Sequence, residues 1–212
     1  MRAAAWLQAS RPLAHGNIAP GLLYGQALAW ALHGAFDALT CALVLAFGVA
    51  DHLFIVFGND YADREADAAH PSPTLVSGGS RVLPEGKLPP AALARAAGAA
   101  AVVVLGMAGL LAVRSGRPGL AAAGLAAVAL LVAYSYGPRL SHRPAGALLQ
   151  AVGVGVVLPY VGFAAQAPPA AAVPGWAFAP TTLLAFAAAI ATALPDAGAD
   201  AAVGKRTWVV AA

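Results

Sequence analysis

Six of the nine acidic residues in this 212-residue chain fall in two short windows. The first is Asn59-Asp60-Tyr61-Ala62-Asp63-Arg64-Glu65-Ala66-Asp67. The second, Asp196-Ala197-Gly198-Ala199-Asp200, runs on to Gly204-Lys205-Arg206-Thr207. Asp60, Asp63 and Asp67 are spaced i, i+3, i+7, and Asp196 and Asp200 i, i+4, so on a helix each set shares one face. Carboxylates this close repel one another unless something positive sits among them. Magnesium suits such a set, because it takes hard oxygen ligands, a few carboxylates and the oxygens of a bound phosphate. The five histidines, His15, His33, His52, His70 and His142, are dispersed along the chain and do not suggest zinc. Two acidic windows closing on a metal-bound diphosphate would serve to ionise an allylic substrate, with Lys205, Arg206 and Arg81 taking up charge on the leaving group. The plainer alternative is a pair of solvated helix ends, with Lys205 and Arg206 serving only to set topology.

The rest of the chain must bring those windows together, and its composition says how. Hydrophobic residues make up 60% and charged ones 10%, and mean hydropathy is +0.75. That is not the composition of a soluble globular protein. A membrane-spanning helix needs roughly 20 mostly apolar residues. Six runs qualify, at about 18–35, 38–58, 90–113, 119–136, 146–166 and 176–194. The expected fold is all-α, a polytopic transmembrane bundle forming one domain over residues 1–212. Four helices separate the two windows, so both lie on the same side of the membrane.

The distribution of positive charge identifies that side. With the N-terminus in the cytoplasm, Arg2, Arg11, Arg64, Arg81, Lys87, Arg95, Arg139, Arg143, Lys205 and Arg206 all lie inside, and only Arg114 and Arg117 outside. The basic pI, near 9.4, therefore reflects topology and not nucleic-acid binding. Residues 1–12 lack a long apolar core and read as a cytoplasmic lead-in resting at the interface through Trp6 and Leu7. Arg11 is either part of that surface or a phosphate contact. The single Cys41 leaves no internal disulfide to form.

Other features have two readings each. Asp51 and His52 fall inside the second apolar run, where a carboxylate is costly and suggests function; the alternative is a structural pair, of Asp51 with His52 or with a polar group on another helix. Asp51 and Asn59 lie about 80° apart around a helix. Ser77-Gly78-Gly79-Ser80-Arg81 can offer backbone N–H groups to phosphate, or is an ordinary loop with His70-Pro71-Ser72-Pro73-Thr74 before it. Tyr134 and Tyr136 either belong to an interfacial belt or line the site and shelter a cation. A kink is expected near Pro159. Trp208–Ala212 reads as the first turn of a further helix, leaving the domain incomplete at its C-terminus.

The pattern Asn59-Asp60-x-x-Asp63-x-x-x-Asp67 followed by Asp196-x-x-x-Asp200-x-x-x-Gly204-Lys205-Arg206-Thr207 resembles the UbiA superfamily of intramembrane prenyltransferases. The likeness extends from Arg11 to Thr207. Residues 77–83, 134–140 and 146–166 look like the branch that includes 1,4-dihydroxy-2-naphthoate prenyltransferases of menaquinone synthesis. The resemblance implies nine spanning helices in the family against six here, and two Mg²⁺ held by Asp60, Asp63, Asp67, Asp196 and Asp200. It implies diphosphate contacts from Asn59, Arg81, Arg139, Lys205 and Arg206, with Tyr134 at the active-site mouth. The substrates would be a polyprenyl diphosphate and a lipophilic aromatic acceptor, with membrane lipid around an enzyme of the cell (inner) membrane. Alternatives are transfer to a non-quinone acceptor, or an ion-coupled transporter. A transporter usually places its acids near the midplane, a pattern that only Asp51 fits.

Overall fold

The computed structural model describes residues 2–70 and 78–211. Among these the chain is helical throughout, with no strand. Each of the six apolar runs forms helix: α2 (Ala19–His33), α3 (Ala38–Ala62), α5 (Pro90–Ser115), α6 (Gly119–Ser135), a fifth unit built from α7 (Ala145–Val152) and α8 (Leu158–Gln166), and α9 (Ala179–Ala193). Short helices lie at the ends of these spans: α1 (Arg2–Ala9), α4 (Arg64–Ala69), α10 (Ala197–Ala202) and α11 (Trp208–Ala211). Helices over 38–62, 90–115, 145–166 and 175–193 are long and apolar enough to cross a membrane. With 15 and 17 residues, α2 and α6 fall short of the roughly 20 that a span needs.

The shortness of α2 has a visible cause. A 3-10 turn over Pro12–Asn17 occupies the chain before it, and helix begins only at Ala19, with Pro20 in the first turn. The lead-in is therefore structured. Trp6 packs edge-on against Phe57 at 5.7 Å, and Ala5 and Ala9 are buried. Gln8 donates to the Ser80 carbonyl at 2.7 Å.

Small residues set the helix spacing. A Cβ on Gly25 would lie 2.0 Å from the Pro159 carbonyl oxygen, and one on Gly162 would lie 2.1 Å from that of Leu22. The backbones of α2 and α8 thus touch, as close-packed membrane helices do. The apolar side chains of Val102, Leu110, Val113, Leu183 and Leu184 point outward, as expected of helices that are apolar all round and surrounded by lipid.

The distortion expected at Pro159 lies a turn earlier. Residues 153–157 form a π-helical turn between α7 and α8, and such turns are a known cause of helix irregularity. Thr181 and Thr182 on α9 donate to the Gly155 carbonyl at 2.7 and 3.2 Å, so the altered register docks α9. At the opposite end of the bundle, Gln166 Nε2 donates to Gln26 Oε1 and to the Asp37 carbonyl, both at 3.0 Å. That bond and the Asp37 cap on α3 tie α2, α3 and α8 together away from the acidic windows.

Candidate active site

The helix that carries the first window does not continue straight. α3 ends at Ala62, Asp63 is a bend, and α4 begins at Arg64. The hydrogen-bond ladder nevertheless persists, from Asp63 N–H to Asn59 and from Asp67 N–H to Asp63, each 2.8 Å. The carboxylates still converge. A Cβ on Gly79 would lie 2.1 Å from Asp67 Oδ2 and 3.2 Å from Asp60 Oδ1. The glycine backbone is therefore wedged between the two acids, at a φ of +69° that favours glycine.

In the second window α9 stops at Ala193 and the chain turns through Leu194 and Pro195. Asp196 then opens α10, and Asp200 N–H bonds the Asp196 carbonyl at 2.8 Å. Two side chains join the windows. Lys205 Nζ lies 3.1 Å from Asp200 Oδ1 and 3.9 Å from Asp63 Oδ2. His70, at the end of α4, reaches Asp196 Oδ1 at 3.1 Å.

Arginines approach from three directions. Arg11 Nη1 is 3.5 Å from Asp60 Oδ1, and Arg139 Nη2 is 3.8 Å from Asp63 Oδ1. Arg81 Nη1 donates to the Asp67 main-chain carbonyl. Among the described residues these three are the only non-glycines at positive φ, at 44°, 67° and 47°. Left-handed backbone disfavours side chains and concentrates where surrounding structure enforces it, often at functional sites. Here it falls on three arginines facing three aspartates.

The local field follows from this packing. Burial, then the neighbouring Asp60 and Asp63, push the Asp67 carboxyl up to about 7. Burial works against the charge on Lys205, but Asp63 and Asp200 outweigh it and raise its pKa. Burial, followed by Lys205 and Arg139, pulls His142 below its ordinary value.

A test of whether a metal and diphosphate fit here is the number of buried polar atoms left without a hydrogen bond. Six belong to this end of the molecule: Asp60 Oδ1, Asp63 Oδ1, Ser80 Oγ, Ser141 Oγ, His142 Nε2 and Thr207 Oγ1. Native proteins leave few such atoms without a functional reason or an absent ligand. Among the described residues no three His, Cys, Asp or Glu side chains are grouped to hold one ion alone.

Most of the residues expected from sequence meet at this site. Asn59 Nδ2 donates to Asp63 Oδ2 at 3.3 Å and to Ser135 Oγ at 3.4 Å. Tyr134 accepts from Gln150 at 2.9 Å, while Tyr136 donates to the Gly58 carbonyl at 2.8 Å, so both rings turn inward from the end of α6. Arg206 is different: its side chain is exposed, and its backbone N–H bonds the His142 carbonyl at 2.8 Å. Asp51 and His52 do not pair. His52 bonds the Ser10 carbonyl at 2.6 Å and meets the His15 ring edge-on, whereas Asp51 Oδ1 is buried without a hydrogen-bond partner. In the expected phosphate-binding loop, residues 71–77 lie outside the described residues, but Gly78 to Arg81 reach the site: Ser80 N–H donates to Asp60 Oδ2 at 3.2 Å.

Sequence spacing missed Arg11 as a definite site residue, and it missed His70 and His142. His142 Nε2 lies 3.7 Å from Asp63 Oδ1. His70 follows the first window closely, which was its available signal; His142 lies between α6 and α7, far along the chain from both windows, and carried none.

The profile of the UbiA prenyltransferase family matches residues 9–212. Among solved structures, a UbiA homolog from Archaeoglobus fulgidus bound to GPP and Mg²⁺ superposes with a TM-score of 0.77 at 22% identity, covering 97% of this chain and 69% of that one. The same homolog bound to DMAPP and Mg²⁺ gives a TM-score of 0.77 at 21% identity, over 97% and 68%. At this identity the likeness is one of fold. Comparison with curated proteins found no match.

Proposed function

Because the chain belongs to the UbiA prenyltransferase family, an integral membrane family of prenyl-transferring enzymes, we propose that it moves a polyprenyl group from an allylic diphosphate to a lipophilic aromatic acceptor, with Mg²⁺. The observation that carries this reading is the joining of the two carboxylate windows by Lys205, with six buried polar atoms around them that make no hydrogen bond among the described residues. The solved homolog's prenyl diphosphates and Mg²⁺ support the same substrate class. A quinone-type acceptor, of the 1,4-dihydroxy-2-naphthoate kind, is the acceptor we favour, on the likeness of residues 77–83, 134–140 and 146–166 to that branch.

In this reading Asp60, Asp63, Asp67, Asp196 and Asp200 would hold the metal, which would supply positive charge for the diphosphate. Asn59 orients Asp63 through its amide. Arg81, Arg139 and Lys205 bind diphosphate oxygens, joined by Arg11, while Arg206 adds positive charge at the rim. As the C1–O bond breaks, its electron pair leaves with the diphosphate, and these fixed cations stabilise the charge where it develops. Tyr134 turns its ring toward the allylic cation. A ring carbon of the acceptor then bonds to C1, and the ring releases a proton from that carbon to recover its aromaticity. The distribution of basic residues supports a cytoplasmic side for this face and for the N-terminus.

The direct test supplies labelled polyprenyl diphosphates and a panel of aromatic acceptors to membranes containing the protein, with product read by mass spectrometry. Mg²⁺-dependent product that disappears in Asp60→Ala and Asp196→Ala variants is expected. Product that persists in those variants would overturn the assignment.

A further inference from the structure

Lys205 differs from the other cations of the site in one respect. Arg11 and Arg139 each reach a single acidic window. Lys205 reaches both, at 3.1 Å from Asp200 and 3.9 Å from Asp63, and its side chain is only 12% exposed. Its backbone is held as well, since Lys205 N–H bonds the Asp200 carbonyl at 2.9 Å just past the end of α10. The ammonium is thus fixed in the gap between two carboxylates that come from distant parts of the chain.

A buried pair of acids without a cation between them is costly. A compact ammonium can pair with both and offset part of their repulsion, and it makes up to three hydrogen bonds in directions that its flexible stem can change. We propose that Lys205 is the resident cation of the metal-free protein: its ammonium holds Asp63 and Asp200 together, a divalent ion must displace it, and the released ammonium then binds diphosphate. This rests on the prenyltransferase reading and adds to it a competition between one side chain and the metal. Lys205 is here a positioning residue in one state and a substrate contact in the next.

Such a handover predicts effects of opposite sign under two conditions. Without diphosphate, removing the ammonium removes a competitor, so Lys205→Met should bind metal more tightly than the unaltered protein. With diphosphate present, the same substitution removes a phosphate contact, so metal should bind more weakly. Each change should be on the order of tenfold, the usual scale of coupling between neighbouring charged sites. Lys205→Arg keeps the charge and should resemble the unaltered protein in both conditions.

The experiment uses the full chain in lipid nanodiscs, with Mn²⁺ as the probe and free Mn²⁺ counted by electron paramagnetic resonance, without and with saturating inorganic diphosphate. Lys205→Gln serves as a second neutral variant should Lys205→Met fold poorly. Tighter binding without diphosphate and weaker binding with it, in the neutral variants alone, is the expected result. Unchanged or weaker binding without diphosphate would make Lys205 only a phosphate ligand or only a structural residue, and overturns the handover. Equal tightening in Lys205→Arg overturns it too, since charge would then not be the cause. If the unaltered protein binds no Mn²⁺ even with diphosphate, the prenyltransferase reading itself fails, and the handover with it.

Discussion

Arg11 Nη1 sits 3.5 Å from Asp60 Oδ1 while its own backbone is held at φ 44°, in the left-handed region. The lead-in is stapled in place around it, by Trp6 on Phe57 and by the Ser10 carbonyl on His52. Structure is thus spent on aiming this guanidinium, and stability and activity should respond to its loss in opposite directions. Arg11→Gly removes the side chain from a backbone conformation that glycine adopts freely, relieving strain of about 1–2 kcal/mol. In the proposed reaction it also removes a charged contact to the diphosphate, worth roughly tenfold to a hundredfold in kcat/KM. A thermal melt should show the variant no less stable than the unaltered protein, and a transfer assay should show it slower. A variant that melts earlier and retains full activity would make Arg11 a purely structural residue.

Gly79 and Gly86 provide a matched pair. Both have positive φ, +69° and +65°, so alanine strains the backbone at either position. At Gly79 the new Cβ would also meet Asp67 Oδ2 at 2.1 Å, whereas at Gly86 nothing lies within 4 Å. Gly86→Ala should lose about 1 kcal/mol of stability and keep its activity. Gly79→Ala should lose a similar amount and, in addition, need on the order of tenfold more Mg²⁺ for half-maximal rate, because the displaced carboxylate no longer meets Asp60. A Mg²⁺ titration of both variants tells them apart; equal curves would mean that Gly79 has no part in placing Asp67.

What could be read from the sequence follows from what has a local signature. The six helices declare themselves as apolar runs, and their observed ends lie within a few residues of the expected ones. Asp60, Asp63 and Asp67 declare themselves by being charged in a chain with little charge. Sequence could not show that the chain bends at Asp63 and still completes its hydrogen-bond ladder, nor that the following loop returns Ser80 N–H to Asp60. Nor could it place His70 on Asp196 or His142 beside Asp63. Those contacts form only when helices far apart in sequence pack together, and a histidine in a loop looks the same with or without such a partner. The π-helical turn at residues 153–157 was likewise hidden, since the proline that announces a kink lies in the turn after it.

Asp37 offers a pH test at the other end of the bundle. It caps α3, accepting from Thr40 N–H and from the Thr40 hydroxyl at 2.7 Å each, and it meets Arg114 at 2.8 Å. The Thr40 hydroxyl, then Arg114, then the Thr40 amide lower its pKa to about 2, from an ordinary 3.8. A carboxylate depressed on folding stabilises the protein above its unfolded pKa, and that contribution is lost as pH falls through the folded value. Asp37→Asn keeps a capping side chain but loses the charge. It should melt earlier than the unaltered protein at pH 5 and above, and the difference should close between about pH 4 and pH 2. A gap that stays constant through that window would mean that the ionised form of Asp37 contributes nothing.

Contact between α2 and α8 makes the sharpest packing prediction. Gly25 and Gly162 each place a helix backbone where a Cβ would penetrate the opposing carbonyl, at 2.0 and 2.1 Å. Neither obstacle is the flexible end of a side chain, so alanine at either position must push the helices apart. Overpacking of this kind costs about 1–3 kcal/mol. Gly106 and Gly109, on α5, have nothing within 4 Å of where an added Cβ would sit, and alanine there is the better helix former by up to about 1 kcal/mol. Melting in detergent should therefore rank Gly25→Ala and Gly162→Ala well below the unaltered protein, and Gly106→Ala and Gly109→Ala level with it or above. The two sites on α2 and α8 act at one contact, so the double variant should cost less than the sum of the single ones, as expected of neighbours that share a displacement. Full additivity, or a loss at Gly106 equal to that at Gly25, would show that the cost comes from helix propensity or lipid and not from this seam.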